Sequence, residues 1–260
     1  MRIVSWNVNS IRVRINHLAD FLRDQQPEVV CLQELKVPDE VFPFEVIRGL
    51  GYEVVTFGQK TYNGVAILSR LPMTEVLTGL PYAPEGDDEA LQRRLISARV
   101  GGIRVINVYV PNGQAVGSDK FRFKLSWYTR LKRFLSESFS PDEPLVLLGD
   151  FNVAPDERDV WDAAELEGEI CFSPDERAAL RDLQAWGLTD SFRLHHQEAG
   201  AFTWWDYRQA AFRRNRGMRI DHILITEPLV ARCRKVWVEI DLRKLEQASD
   251  HAPIVAEFDP

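Results

Sequence analysis

The chain has 260 residues, 27% of them charged and 45% hydrophobic, with a formal net charge of −7. That length and balance allow one large domain or two small ones and exclude a disordered chain. The acidic excess argues against a protein that coats nucleic acid through bulk charge, and no apolar run approaches the roughly 20 residues of a membrane span.

The first predicted element is a strand, Arg2–Trp6, which lacks the apolar core and cleavage site of a signal peptide. A helical pattern follows over His17–Gln25, with Leu18, Phe21 and Leu22 on one face. Strand-like runs recur at Val29–Leu32, Tyr52–Thr56, Gly64–Leu68, Ile96–Val100 and Arg104–Val110. A longer helix is predicted over Phe121–Phe139, then a strand at Leu145–Leu148. Ser173-Pro174-Asp175-Glu176 opens a third helix, Asp175–Trp186. The last strands are Arg219–Ile225, Val236–Ile240 and Pro253–Phe258.

No repeat, low-complexity stretch or Gly/Ser linker divides the chain, so residues 1–260 are expected to form a single domain. Many strands with a few helices suggest two sheets with helices outside. A doubly wound nucleotide fold fits less well, because the first strand runs into Asn-Val-Asn and not into a Gly-rich phosphate loop. Cys31, Cys171 and Cys233 are isolated and odd in number, which reads as reduced thiols in a cytoplasmic protein.

The strands carry their polar residues in a pattern. Four end in them: Asn7 and Asn9; Gln33 and Glu34; Tyr109 and Asn112; Asp150 and Asn152. Two late strands begin with them, at Asp221-His222 and at Asp250-His251. One common edge therefore requires the last two strands to run against the first four. Glu34, Asp150 and Asp250, with amide oxygens from Asn7 and Asn152, make a hard-oxygen set suited to Mg2+ or Mn2+ and not to zinc. Asp221 beside His251 is a pairing that orients and charges an imidazole. Tyr109 can donate to an oxyanion, or act as phenolate if its pKa falls. No Gly-x-Ser-x-Gly elbow supports an acyl hydrolase. Metal-assisted phosphoester hydrolysis fits better.

Ten stretches, WNVNSIRVR, CLQELKV, YNGVAILSR, QRRLI, INVYVPNG, LVLLGDFNVAP, GLTDSFR, FTWWDYR, RGMRIDHILIT and SDHAPIVAEF, cover nearly the whole chain in one order. Together they resemble the exonuclease III family of abasic-site endonucleases, within the DNase I-like metal phosphoesterases. The resemblance implies a four-layer α/β sandwich, with two central mixed or antiparallel sheets flanked by helices. It implies a Mg2+-dependent enzyme of base excision repair, in which Mn2+ substitutes. Such an enzyme cuts duplex DNA 5′ to abasic sites, removes 3′-blocking groups and degrades 3′ ends. A balance weighted towards 3′-end processing is the alternative within that activity. An enzyme acting on a small phosphoester, or a non-catalytic nucleic-acid-binding regulator, would be the alternative classes on this fold.

By the same resemblance Glu34 carries the metal, with Asn7 and Asp250 near it. Asp150 acts on the attacking water. Asn152, Asn112 and Tyr109 hold the scissile phosphate, and His251, oriented by Asp221, binds a phosphate oxygen. Trp204 falls beside the extruded sugar, and Met218 stands where some members carry an aromatic residue. Arg93, Lys120 and Arg208 are candidates for the DNA backbone. A monomer is expected, because no dimerisation signal is present.

Overall fold

The computed structural model describes residues 1–82 and 91–259. It contains β1 (Arg2–Asn7), α1 (Ile11–Gln25), β2 (Val29–Gln33), α2 (Phe44–Arg48), β3 (Glu53–Phe57), β4 (Val65–Ser69), β5 (Met73–Thr78), β6 (Leu95–Val100) and β7 (Ile103–Tyr109). Then come α3 (Asp119–Ser138), β8 (Leu145–Asp150), α4 (Ala163–Leu166), α5 (Pro174–Gln184), β9 (Thr189–Asp190) and α6 (Ser191–His195). The chain continues through β10 (Trp204–Trp205), β11 (Gly217–Met218), β12 (Asp221–Ile225), α7 (Glu227–Val230), β13 (Cys233–Val238) and β14 (Ile254–Phe258).

Two six-stranded sheets result, ordered β13-β14-β1-β2-β4-β3 and β5-β6-β7-β8-β12-β9. In each, one central pair is parallel, β1 with β2 and β7 with β8, and the other pairs are antiparallel. β14 runs against β1, and β12 against β8. The late strands thus reverse as their leading polar residues require.

The apolar runs are continuous because both faces of each sheet are covered. Successive side chains alternate between faces. In β8, Val146 and Leu148 face the other sheet, packing with Ile3, Val29, Cys31, Val105 and Ile223. Leu145 and Leu147 face outward, against Trp127, Leu131 and Leu135 of α3 and Leu180 and Leu183 of α5. On the other outer face Val4, Trp6, Val30 and Leu32 pack on Ile11, Leu18 and Leu22 of α1. Helices, sheet, sheet and helices make the expected four-layer sandwich.

Some elements differ from expectation. α1 starts at Ile11, six residues before the predicted His17. Its cap, Ser10, makes no side-chain cap hydrogen bond, and Arg12 and Arg14 interrupt the apolar pattern of the first turns. β5 has no apolar signal because it is an exposed edge strand, with an irregular register between Thr74 and Leu77. The predicted Arg219–Ile225 strand is two residues shorter, as β12 starts at Asp221, and just before it Gly217–Met218 pairs with Trp204–Trp205.

One polar contact crosses the apolar layer between the sheets. Gln33 Nε2 donates to Asn107 Oδ1 at 2.7 Å, and Asn107 Nδ2 donates to the carbonyls of Leu32 and Ala66 at 2.9 Å. Both residues are fully buried. Asn107→Ala is expected to lower unfolding free energy by about 3 kcal/mol, because the groups it satisfies stay buried. Urea denaturation checks this.

Candidate active site

The inner face of each central strand changes from apolar to polar along its length. It reads Ile3, Ser5, Asn7 on β1, Val105, Asn107, Tyr109 on β7, and Val146, Leu148, Asp150 on β8. On β12, which runs the other way, Ile225 and Ile223 precede Asp221 on approaching the same edge. Asp150 lies in register with Tyr109 on one side and Asp221 on the other. Gly149 makes this ladder possible: its φ is +143°, and a Cβ there would fall 1.9 Å from the Val108 carbonyl oxygen.

Asn7 bridges the two sheets at this edge. Its Nδ2 donates to Glu34 Oε1 at 2.8 Å and to Asp150 Oδ2 at 2.9 Å. Its Oδ1 accepts from the Asn9 amide at 2.9 Å. Asn7 thus presents its amide nitrogen to the two carboxylates. Asn152 Oδ1 accepts from Asn112 Nδ2 at 3.0 Å, and its Nδ2 donates to the Val110 carbonyl at 2.9 Å.

His251 Nδ1 lies 2.8 Å from Asp221 Oδ2, and Nε2 lies 3.7 Å from Asp150 Oδ2. The other Asp221 oxygen is buried without a hydrogen-bond partner. Burial would push the His251 imidazolium down, but the carboxylates of Asp221 and Asp150 outweigh it and hold it up at about 10. Burial pushes the Asp150 carboxyl up to about 7 against the pull of His251, with Asp221 and Glu34 adding to the rise. Tyr109 is raised well above its ordinary value by burial and by Glu34, against the pull of Arg94. It is held as a phenol, a donor, and the phenolate role is not favoured.

Glu34, Asp150 and His251 each offer an atom within 4.8 Å of the others. Glu34 and Asp150, joined through the Asn7 amide, bring hard carboxylate oxygens together, which suits a divalent ion with sites left for water or phosphate; His251, held cationic by Asp221, is placed to meet an anion. Asp250, expected in that set, is placed differently. Asn9 Nδ2 donates to its Oδ1 at 2.9 Å and Trp204 Nε1 to its Oδ2 at 3.0 Å. Its carboxyl is held low despite burial, by His251 and by the Trp204 and Asn9 hydrogen bonds.

Trp204 and Met218 pair across β10 and β11 and pack together with Phe172, Val160 and Ile220 beside the site. A cleft of about 610 Å³ opens on Glu34, Tyr109 and Asn112, and Lys120 lines it. Arg94 lines it too, stacked 4.5 Å over the Tyr109 ring, whereas Arg93 is tied to Asp39 and Gly58 and lies over Phe57. Of the two neighbouring arginines, Arg94 lines the cleft and Arg93 does not. Arg208 is exposed and paired with Asp206, and does not line the cleft. Two further residues, given no role by the motif reading, join the site. Asn9 links Asp250 to Lys36, and Lys36 reaches Glu34 Oε2 at 2.9 Å. Their spacing behind WNVN and QELK is visible, but not the left-handed φ of Asn9, Glu34, Lys36 and Asn152 (+44°, +52°, +57° and +52°) that turns them into the site.

The profile of the endonuclease/exonuclease/phosphatase family matches residues 4–251. The chain belongs to this family. It is 38% identical to exodeoxyribonuclease III of Haemophilus influenzae, over 99% of this chain and 100% of the relative. Its fold matches the 3′ phosphatase NExo from Neisseria, solved bound to a product DNA hairpin, with a TM-score of 0.94, 44% identity and all of both chains covered. An AP endonuclease from Archaeoglobus fulgidus matches with a TM-score of 0.94 and 39% identity, again over all of both chains. The family and the enzyme class, a nuclease, agree with what the ten stretches imply.

The His251 pair makes a pH prediction. A folded pKa raised from 6.5 to about 10 means that its stabilisation is complete below about 6.5 and is lost as pH rises towards 10. With chelator present, wild-type unfolding free energy is expected to fall across that window. His251→Gln is expected to show a flatter profile in guanidinium titrations at stepped pH.

Proposed function

We propose that this protein is a DNA repair nuclease of base excision repair. It hydrolyses phosphodiesters 5′ to abasic sites, removes 3′-blocking groups and degrades duplex DNA from 3′ ends. The observation that carries the reading is the placement of Asp150. It sits in register between Tyr109 and Asp221, joined to Glu34 through Asn7 and facing His251. The relatives named exodeoxyribonuclease III, AP endonuclease and 3′ phosphatase support it. The likeness to the 3′ phosphatase favours substantial 3′-end processing beside incision.

Asp150, a base titrating near neutrality, orients the attacking water and takes its proton. His251, kept cationic by Asp221, binds a phosphate oxygen as negative charge develops. Tyr109, Asn112 and Asn152 hold the scissile phosphate through neutral donors. Asn7 keeps the Glu34 and Asp150 carboxylates converged. Glu34, with Asp150 beside it, would hold Mg2+, with Mn2+ as a substitute; the ion would polarise the phosphate and neutralise its charge. Trp204 and Met218 would wall the pocket for an extruded abasic sugar, which lacks a base and is cheap to extrude. Arg94 and Lys120 would meet the backbone. We further propose that the whole chain is one catalytic unit, acting on duplex DNA as a cytoplasmic monomer.

The test uses an abasic-site duplex, a 3′-phosphate duplex and a recessed intact duplex, each with Mg2+ and with EDTA. Metal-dependent cleavage of the first two is expected. Absence of cleavage in all three overturns the reading. Asp150→Asn and His251→Ala are each expected to lower kcat by about 1,000-fold or more while still binding DNA in gel-shift titrations.

A further inference from the structure

Lys124 projects from α3 towards the loops that follow β7 and β8, and its side chain is fully buried. A buried ammonium is retained only when its charge is paired and its hydrogens are used. All three of its donors are placed. One meets Glu176 of α5, whose side chain is also fully buried. The second meets the Asn112 carbonyl at 3.0 Å, and the third meets the Asn152 carbonyl at 2.7 Å. Glu176 uses its remaining capacity on a third loop, accepting from the amides of Cys171 and Ser173 at 3.0 Å and from Ser173 Oγ at 2.6 Å.

One ion pair therefore gathers three loops at the site edge. Asn112 and Asn152 are held to each other twice, by their side chains and by this shared ammonium. Asn152 also carries a left-handed φ of +52°, a conformation that a non-glycine residue keeps only when its surroundings fix it. Gly113, at φ +91°, lets the loop settle on the lysine stem, since a Cβ there would lie 3.1 Å from Lys124 Cδ.

We propose that Lys124, neutralised by Glu176, is a positioning residue for phosphodiester hydrolysis, setting the spacing of Asn112 and Asn152 without touching substrate. The inference rests on the reading of those two asparagines as phosphate holders. A structural ion pair would act through stability alone; a positioning pair acts on turnover even when stability is restored.

The experiment compares Lys124→Met, Lys124→Met/Glu176→Gln, Asn112→Ala and Asn152→Ala in the full chain. Tm is read by calorimetry, and kcat and KM on an abasic-site duplex with Mg2+. Lys124→Met leaves Glu176 buried and unpaired, so Tm is expected to fall by about 10 °C. The double variant removes both charges and is expected to recover most of that loss. Its kcat is expected to stay about 30-fold below wild type, with KM changed much less, because misplaced binding groups slow turnover. Recovery of kcat along with Tm overturns the proposal. Near-wild-type turnover in Asn112→Ala and Asn152→Ala would instead remove the phosphate reading beneath it. Should the methionine variants not fold, Lys124→Gln/Glu176→Gln fills the same space with neutral amides and is judged by the same criterion.

Discussion

The amide contact between Gln33 and Asn107 is the constraint on which the site depends. Two apolar sheet faces slide over one another at little cost, because hydrophobic contact has no direction. A hydrogen bond with both partners buried does have direction, and it penalises any shift that leaves them unpaired. Gln33 immediately precedes Glu34, and Asn107 lies two residues before Tyr109. The clasp therefore fixes the relative height of the strands that deliver carboxylate and phenol. Asn7 repeats the link one layer further out, from β1 to Glu34 and Asp150. The order from apolar core to neutral amide to carboxylate puts the charges at the wet end of the sandwich, where water and an ion can reach them.

Much of this is legible in the residues themselves. The polar ends of six strands, with two reversed, require the antiparallel pairings that β12 and β14 make, and they bring Asp150, Asp221 and His251 together. The ten ordered stretches point to the family. Hydrogen-bond direction is not legible. A sequence shows that Asn7 is polar, not which end of its amide meets Glu34. Nor does it show that Trp204 and Asn9 engage Asp250. Of the neighbouring Arg93 and Arg94, only the fold decides which reaches the cleft. Lys124 reads as one more charge on a helix until α5 is seen to place Glu176 against it. These features depend on packing between distant segments and on backbone angles that periodicity does not encode.

The electrostatics of the site run against the protein as a whole. A chain with a formal charge of −7 concentrates further carboxylates at the edge expected to meet a phosphate. His251, Lys36, Arg94 and Lys120 supply nearby positive charge, and a divalent ion would complete the balance. Attraction between the protein and a polyanion is therefore local and depends on loading of the site, which limits loose association with undamaged nucleic acid.

The strand order has a consequence for how the protein comes into being. β1 lies between β14 and β2, so its pairing joins segments from opposite ends of this domain. Asn7 and His251, which flank Asp150, are 244 positions apart in the chain. Contacts of such long separation also slow folding, since loop closure precedes their reward. The catalytic edge is thus a product of long-range pairing: Asn7, Asp150 and His251 meet only when β1, β8 and the segment leading into β14 are docked together.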